Sequence, residues 1–241
     1  MAVALYIFSD AHLGAHSPDL EELKKKKIAE ICVLVKKDGD RLIILGDLFD
    51  FWFEYKFTAP KEHYQVLFML SELLKQGIKI DYVSGNHDFW MDDFFEKQMG
   101  IKLHRNALDF EYDGKKIHLI HGDGLAKDDS GYRFLKKIFR NRFNIWLYRK
   151  LPPDWAYALA GKISGKSRRQ TSQRDVQFIS DYRQYAQAKL KFGSNIVVIA
   201  HLHIPAIEQI DKGTYINSGD FIEHFSYVKI EHGQVSLLSL K

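Results

Sequence analysis

The stretch Leu42-Ile43-Ile44-Leu45-Gly46-Asp47-Leu48-Phe49-Asp50 (LIILGDLFD) joins an apolar run to a glycine and two carboxylates. The run reads as a core strand and the glycine as the turn that ends it. The same join recurs upstream as VALYIFSDAHLG (3–14) and downstream as IDYVSGNHD (80–88), IHLIHGD (117–123) and IVVIAHLH (196–203). Helix-like segments fall between the strands. Leu20–Val35 places Leu20, Leu23, Ile28, Ile31 and Val35 roughly on one face. Tyr64–Leu74 is followed by Gly77, where a C-cap glycine belongs, and Asp92–Gln98 reads as a further helix. Strands alternating with helices favour parallel pairing and an α/β fold. In such sheets the C-terminal strand ends share one edge, where ligands bind. The five polar clusters are therefore expected to converge.

The rest of the chain follows a different rhythm. Phe110–Tyr112 and Ile117–Ile120 flank Asp113-Gly114, a strong hairpin signal. From Ala206 onward short strands alternate with turns at Asp211-Lys212-Gly213 and Glu231-His232-Gly233. Between Leu125 and Leu190 the strands stop. Tyr132–Lys150 is basic and aromatic, with Leu135, Ile138, Phe139, Phe143, Trp146 and Leu147 at helical spacing, and Pro152-Pro153 ends it. A second helix is expected from about Asp175 to Leu190. This pattern divides the chain into a core, residues 1–124 and 191–241, and a helical cap over residues 125–190.

Composition narrows the class. The chain has 241 residues, 46% apolar and 27% charged, enough to bury a sizeable core. Cys32 is its one cysteine, so no internal disulfide forms, and a reducing, cytoplasmic setting is expected. Cys32 itself falls in an apolar-periodic run and reads as core filler. No apolar run reaches the ~18 residues of a membrane span. The net charge of +4 is mild but uneven: 13 Lys and Arg face three acids between Lys127 and Arg174. No nucleic-acid motif accompanies that basic segment, so a nucleic-acid partner is not expected. An anionic membrane surface suits it better, since each basic residue near such a surface contributes about 1 kcal/mol.

The clusters offer Asp, His and Asn and no thiolate. Such donors suit Mn²⁺, with Fe or Zn²⁺ as alternatives, over Ca²⁺ or a soft metal. In Asp10-x-His12 and His201-x-His203 two side chains lie two residues apart, on one face of an extended segment. Asp47 has two carboxylate oxygens and so can bridge two cations. A pair of cations about 3.5–4 Å apart polarises a phosphoryl oxygen and activates water. His16, His63, His104, His118, His224 and His232 lack such surroundings and read as surface or core residues.

In order, D-x-H, GD-x-x-D, GNH-D, a later histidine and His-x-His resemble the calcineurin-like metallophosphoesterases, over residues 9–203. The resemblance implies a β-sandwich flanked by helices. It implies one cation on Asp10, His12, Asp47 and His203, and another on Asp47, Asn86, His121 and His201. It also implies that His87 steadies the phosphoryl transition state or protonates the leaving oxygen, with Asp88 orienting it. Ala200 stands where that family has glycine, which should only tighten the local backbone.

A narrower likeness lies in HGDGLAKDDSGYRFLKKIFRNR (His121–Arg142) and LPPDWAYALAGKISGKSRRQTSQR (Leu151–Arg174). These are similar to the UDP-2,3-diacylglucosamine hydrolases of lipid A biosynthesis, which release UMP and 2,3-diacylglucosamine 1-phosphate. By that likeness Asn86 and His201 also meet substrate. Asp129 and Tyr132 would approach the sugar, and Ser167, Thr171 and Arg174 the phosphate and amide groups. The implied partner is a nucleotide-linked glycolipid, met at the cytoplasmic face of a membrane, with no obligate protein partner. His87 replaces an arginine of the best-studied of these hydrolases, which motivates an alternative: a calcineurin-like phosphoesterase for a nucleotide, a phosphodiester or a different nucleotide-linked lipid. A scaffold that has lost catalysis is disfavoured by the complete ligand set.

Overall fold

Along β1 (Ala4–Phe8) successive side chains enter two different cores. Ala4, Tyr6 and Phe8 join one buried cluster, and Leu5 and Ile7 join another. β2 (Gly39–Ile44) repeats the alternation with Leu42 and Ile44 against Ile43. A period of two with both faces apolar means a sheet covered on both sides. The computed structural model, which describes residues 3–127, 130–161 and 175–241, has that form.

One sheet has the order β11-β10-β1-β2-β3-β4. Here β3 is Lys79–Val83, β4 Lys102–His104, β10 Ser226–Glu231 and β11 Gln234–Ser239. β1 to β4 are parallel, and β10 and β11 add an antiparallel edge. The other sheet has the order β5-β6-β7-β9-β8. Its strands are β5 (Leu108–Tyr112), β6 (Lys115–Ile120), β7 (Ile196–Ile199), β8 (Ala206–Ile210) and β9 (Gly213–Asn217). β6, β7 and β9 run parallel. The two sheets sandwich Leu5, Ile7, Ile43, Val83, Leu119, Val198, Ile216 and Val228 between them. Fully burying each such side chain is worth roughly 1.5–3 kcal/mol.

Helices close both outer faces. α1 (Pro18–Asp38) and α2 (Tyr64–Lys75) cover the first sheet. Pro18 suits the first turn of α1, where its missing N–H costs nothing. The buried stripe of α1 is Lys24, Lys27, Ile28, Ile31, Cys32 and Val35. Leu23, expected on that stripe, is exposed, and a lysine takes the inward position. α6 (Asp175–Lys191) lays Tyr182 and Ala186 against Val197, Ile199 and Tyr215 of the second sheet. α6 thus covers the sandwich, although the sequence groups it with the insertion.

The expected helix over Tyr132–Lys150 is two helices, α3 (Ser130–Phe139) and α4 (Arg142–Tyr148). Asn141 breaks it, its side-chain oxygen accepting from the Phe143 and Asn144 N–H groups at 2.9 and 3.4 Å. This is an N-cap, favoured by a short polar side chain that competes with the helical backbone. α5 follows at residues 153–161. The expected helix at Asp92–Gln98 is a short π-type turn, Phe94–Met99. The hairpin turn is where the sequence puts it, with Asp113 and Gly114 at φ 49° and 69°.

Candidate active site

The loops after β1 and β2 continue side by side beyond their strands. The Asp10 N–H donates to the Gly46 carbonyl at 3.0 Å, His12 to Asp47 at 2.9 Å and Asp50 to Leu13 at 3.0 Å. These loops are not extended, contrary to the expectation from i, i+2 spacing. Asp10, His12, Asp47, His201 and His203 all lie at positive φ: 55°, 42°, 53°, 73° and 56°. Non-glycine residues rarely adopt this region, and each such residue costs of order 1–3 kcal/mol and persists only where its surroundings hold it. Five strained residues in one pocket mark a site whose side-chain directions matter more than backbone ease. Two glycines make room for them. A Cβ on Gly85 would fall 2.0 Å from Asp47 Oδ1, and one on Gly46 would fall 2.4 Å from His121 Nδ1.

The sandwich brings all the expected ligand residues together. Asp10, His12 and His203 present donor atoms within 4.8 Å of one another, as do Asp47, His121 and His201, and the overlapping set His12, Asp47 and His87 lies between these two groups. His203 Nε2 is 3.4 Å from Asp10 Oδ1. Asp47 Oδ2 lies 3.7 Å from His12 Nε2 and 3.3 Å from His121 Nε2, between the two groups. Asp47 Oδ1 accepts the His87 N–H at 2.9 Å, so one oxygen, Oδ2, faces both groups. Asn86 Oδ1 is 3.2 Å from His121 Nε2. His121 Nδ1 donates to the Leu45 carbonyl at 2.9 Å, which turns Nε2 toward the pocket.

The donor set fits divalent cations. Among the described residues, the buried side-chain polar atoms lacking a hydrogen-bond partner are Asp10 Oδ1, both ring nitrogens of His12, and Ser84 Oγ. Buried polar atoms are normally satisfied, and three of these four sit in one ligand group. Burial holds His12 and His201 down to about 4, so both are neutral imidazoles at pH 7, the ligating form. Burial also lowers His121, but the adjoining Asp47 carboxylate outweighs it and raises His121 to about 10. His203 is raised in the same way by Asp10. Those protons balance the buried carboxylates and are the ones that cation binding must displace.

One expectation about a single residue changes. Asp88 does not orient His87. Its Oδ1 accepts the Gly85 N–H at 2.8 Å, and its Oδ2 accepts the Leu48 N–H at 3.0 Å and the Tyr82 hydroxyl at 2.5 Å. It fixes the turn, and burial with the nearby Asp47 charge pushes it up to about 7. Asp50 holds the imidazole instead: His87 Nδ1 is 2.9 Å from the Asp50 carbonyl and 3.3 Å from its Oδ1. Burial would lower His87, yet Asp47 and Asp50 raise it to about 9. The second aspartate of GD-x-x-D was the available signal. Tyr132 lines the pocket, with its hydroxyl donating to Asp123 Oδ2 at 2.8 Å. Lys136 and Arg140 reach the same carboxylate at 2.6 and 3.4 Å, tying α3 to the residue two beyond His121. Asp129, Ser167, Thr171 and Arg174 lie outside the described residues.

From Asn86 and His87 a cavity of about 1010 Å³ runs beneath α3, α4 and α5. Its walls are chiefly apolar and include Phe51, Trp90, Leu135, Phe139 and Leu159.

The pattern of the calcineurin-like phosphoesterases matches residues 4–205. A UDP-2,3-diacylglucosamine hydrolase of Porphyromonas gingivalis is 32% identical over 175 residues, covering 72% of this chain and 67% of that one. One of Haemophilus influenzae strain Rd is 31% identical over 229 residues, covering 92% of each chain. The solved structure of an archaeal phosphodiesterase shares the fold with a TM-score of 0.50 at 14% identity, over 98% of this chain and 99% of that one. Fold, ligand groups and relatives agree: this chain belongs to the calcineurin-like phosphoesterases and is a metal-dependent hydrolase.

Proposed function

We propose that this chain cleaves the pyrophosphate of UDP-2,3-diacylglucosamine to UMP and 2,3-diacylglucosamine 1-phosphate. The observation that carries the reading is the apolar cavity opening at Asn86 and His87. A nucleotide or simple phosphodiester gains nothing from such a chamber. Acyl chains gain about 0.8 kcal/mol per buried CH₂. The names of the Porphyromonas and Haemophilus relatives support the same substrate.

In this reading one cation takes Asp10, His12, Asp47 and His203, and the other takes Asp47, Asn86, His121 and His201. When bound, two divalent cations, Mn²⁺ first with Fe or Zn²⁺ as alternatives, supply Lewis-acid polarisation of a phosphoryl oxygen and acidify water. The chain's own residues do the rest. Asp47 Oδ2 stands between the two groups and fixes their spacing. Asn86 and His201 orient the phosphoryl group under attack. His87 keeps Nδ1 on the Asp50 carbonyl, so Nε2 is the nitrogen that gives a proton to the leaving oxygen. In the metal-free chain Asp47 and Asp50 raise this imidazole to about 9, and the Asp50 contact stays in place to favour its charged form. Tyr132 and Asp129 approach the sugar, and Ser167, Thr171 and Arg174 take the phosphate and amide groups. Arg174 provides a planar fork for phosphate.

The cap over residues 125–190 would then hold the acyl chains. Phe134, Phe143, Trp146 and Trp155 are exposed beside Lys137, Arg142 and Lys150, a combination suited to peripheral attachment at an anionic membrane surface. Among the described residues no helix is long and apolar enough to cross a membrane. The test is incubation of pure protein with UDP-2,3-diacylglucosamine, Mn²⁺ and detergent, with UMP release followed by chromatography. UMP at a catalytic rate is expected. If the protein cleaves bis(p-nitrophenyl) phosphate but releases no UMP, the lipid reading fails and another phosphoesterase activity takes its place.

A further inference from the structure

The core-facing stripe of α1 carries Lys24 one helical turn before Ile28, and Lys24 is 0% exposed. Lysine is almost never fully buried unless its ammonium is paired. Among the described residues, the ammonium of Lys24 meets acceptors of one loop and the Glu21 carboxylate. Its Nζ donates to the Ala11 carbonyl at 2.9 Å and the His12 carbonyl at 2.8 Å, and lies 3.2 Å from His16 Nδ1. Glu21 Oε1 is 2.6 Å away. Glu21 grips the same loop in turn, accepting the Gly14 N–H at 2.9 Å and the His16 N–H at 3.0 Å. One turn of α1 thus holds residues 11–16 by both carbonyl and N–H groups.

The loop so held begins at Asp10 and contains His12, two of the three residues in one ligand group. Both are at positive φ, a conformation that persists only where the surroundings over-determine it. Moving the Ala11 and His12 carbonyls would strand a buried ammonium, so the loop has little freedom to relax. Asp47, His121 and His201 make none of these contacts.

We propose that Lys24 and Glu21 are positioning residues for one of the two cations, the one held by Asp10, His12 and His203. They act through the backbone of Ala11 and His12 and never touch the ion. This rests on the two-cation reading above. It separates the two ligand groups: one is braced directly by a buried ion pair from α1, and the other by backbone and Asp88 hydrogen bonds at the strand ends.

The test counts ions. Metal-free protein is reconstituted with Mn²⁺, dialysed and assayed by elemental analysis, and the thermal midpoint of the metal-free form is recorded in parallel. Wild type should keep two Mn²⁺ per chain. Lys24→Met should keep one, with at least a tenfold weaker second site by titration, and Lys24→Arg should recover part of the loss. In the His203→Ala background Lys24→Met should cost no further ion. In the His201→Ala background it should remove the remaining one. Should Lys24→Met fail to fold, Glu21→Gln, which keeps the ammonium, should weaken the same single site by a smaller factor. Two ions held at wild-type affinity in a folded Lys24→Met or Glu21→Gln protein would overturn the proposal. Equal weakening of both sites, tracking the fall in thermal midpoint, would overturn it as well. A wild type that retains no Mn²⁺ would instead remove the two-cation reading on which it stands.

Discussion

The rim of the sandwich and the helices above it are built from different forces. At the rim, Asp10, His12, Asp47 and His121 are almost wholly inaccessible, and their loops are pinned to each other and to α1. Above it, α3 to α5 leave Phe134, Phe143, Trp146 and Trp155 in solvent. Those helices are tied down by ion pairs at their base, Lys136 and Arg140 to Asp123 and Arg149 to Asp92, and by neutral hydrogen bonds to carbonyls. Trp90 Nε1 donates to Phe139 at 2.8 Å, Tyr157 to Phe53 at 3.0 Å and Tyr55 to Leu151 at 3.2 Å. The contrast separates two tasks. Chemistry needs side chains that do not move, and strain is tolerable where dense packing enforces it. Substrate selection needs apolar surface that a ligand can cover, and such surface stays partly exposed until it does.

If that division holds, damage at the rim is blind to substrate and damage above it is not. The largest effect should follow His87→Ala. Both ions should remain, since the ring is anchored on Asp50 and His87 is not among the proposed ligands. Turnover should fall by roughly 10²–10⁴, the range for a general acid, on lipid and small phosphodiester alike. A loss confined to the lipid would assign His87 to recognition instead. Ala160→Phe should have a smaller and selective effect. Ala160 is buried on the cavity wall, so an added ring competes with acyl chain. Forcing about two or three methylenes back to water costs about 0.8 kcal/mol each. KM for the lipid should therefore rise roughly 10- to 50-fold, with hydrolysis of bis(p-nitrophenyl) phosphate nearly unchanged. Equal losses on both substrates would merge the two regions into one.

The same contrast explains what could be read from the sequence. The rim was legible because its polar residues directly follow apolar strands, and strand direction brings the ends of β1, β2, β3, β6 and β7 to one edge. Asp10, Asp47 and His201 could be located without knowing their backbone conformation. Their positive φ was not legible, because aspartate and histidine carry no local mark of strain as glycine does. Asp88 and Asp50 were told apart only by geometry, since both lie one residue or one loop from His87. Lys24 was missed for a related reason. A lysine beside Leu23 reads as solvent-facing until the carbonyls of Ala11 and His12 are seen beneath it. The helices above the rim were legible in composition but not in their break at Asn141, where a cap competes with an otherwise continuous periodicity.

Acid should produce the smallest difference between the regions, and its sign follows from Glu21. Burial alone would raise this carboxyl, but hydrogen bonds from His16, Lys24 and the Gly14 N–H prevail and hold it at about 2. A carboxyl whose folded value lies below its unfolded value stabilises the fold fully above the unfolded value, near 4.5. That contribution is lost as pH falls from there through about 2. Glu21→Gln removes it at every pH. The gap in urea midpoint between metal-free wild type and Glu21→Gln should thus stay constant from about pH 7 to 5 and narrow below about 4.5. Ala160→Phe removes nothing ionisable, so its gap from wild type should stay level over the same range. A Glu21→Gln gap as level as that of Ala160→Phe would mean that the carboxylate bracing the rim contributes shape but no charge, and the electrical half of the contrast would fall.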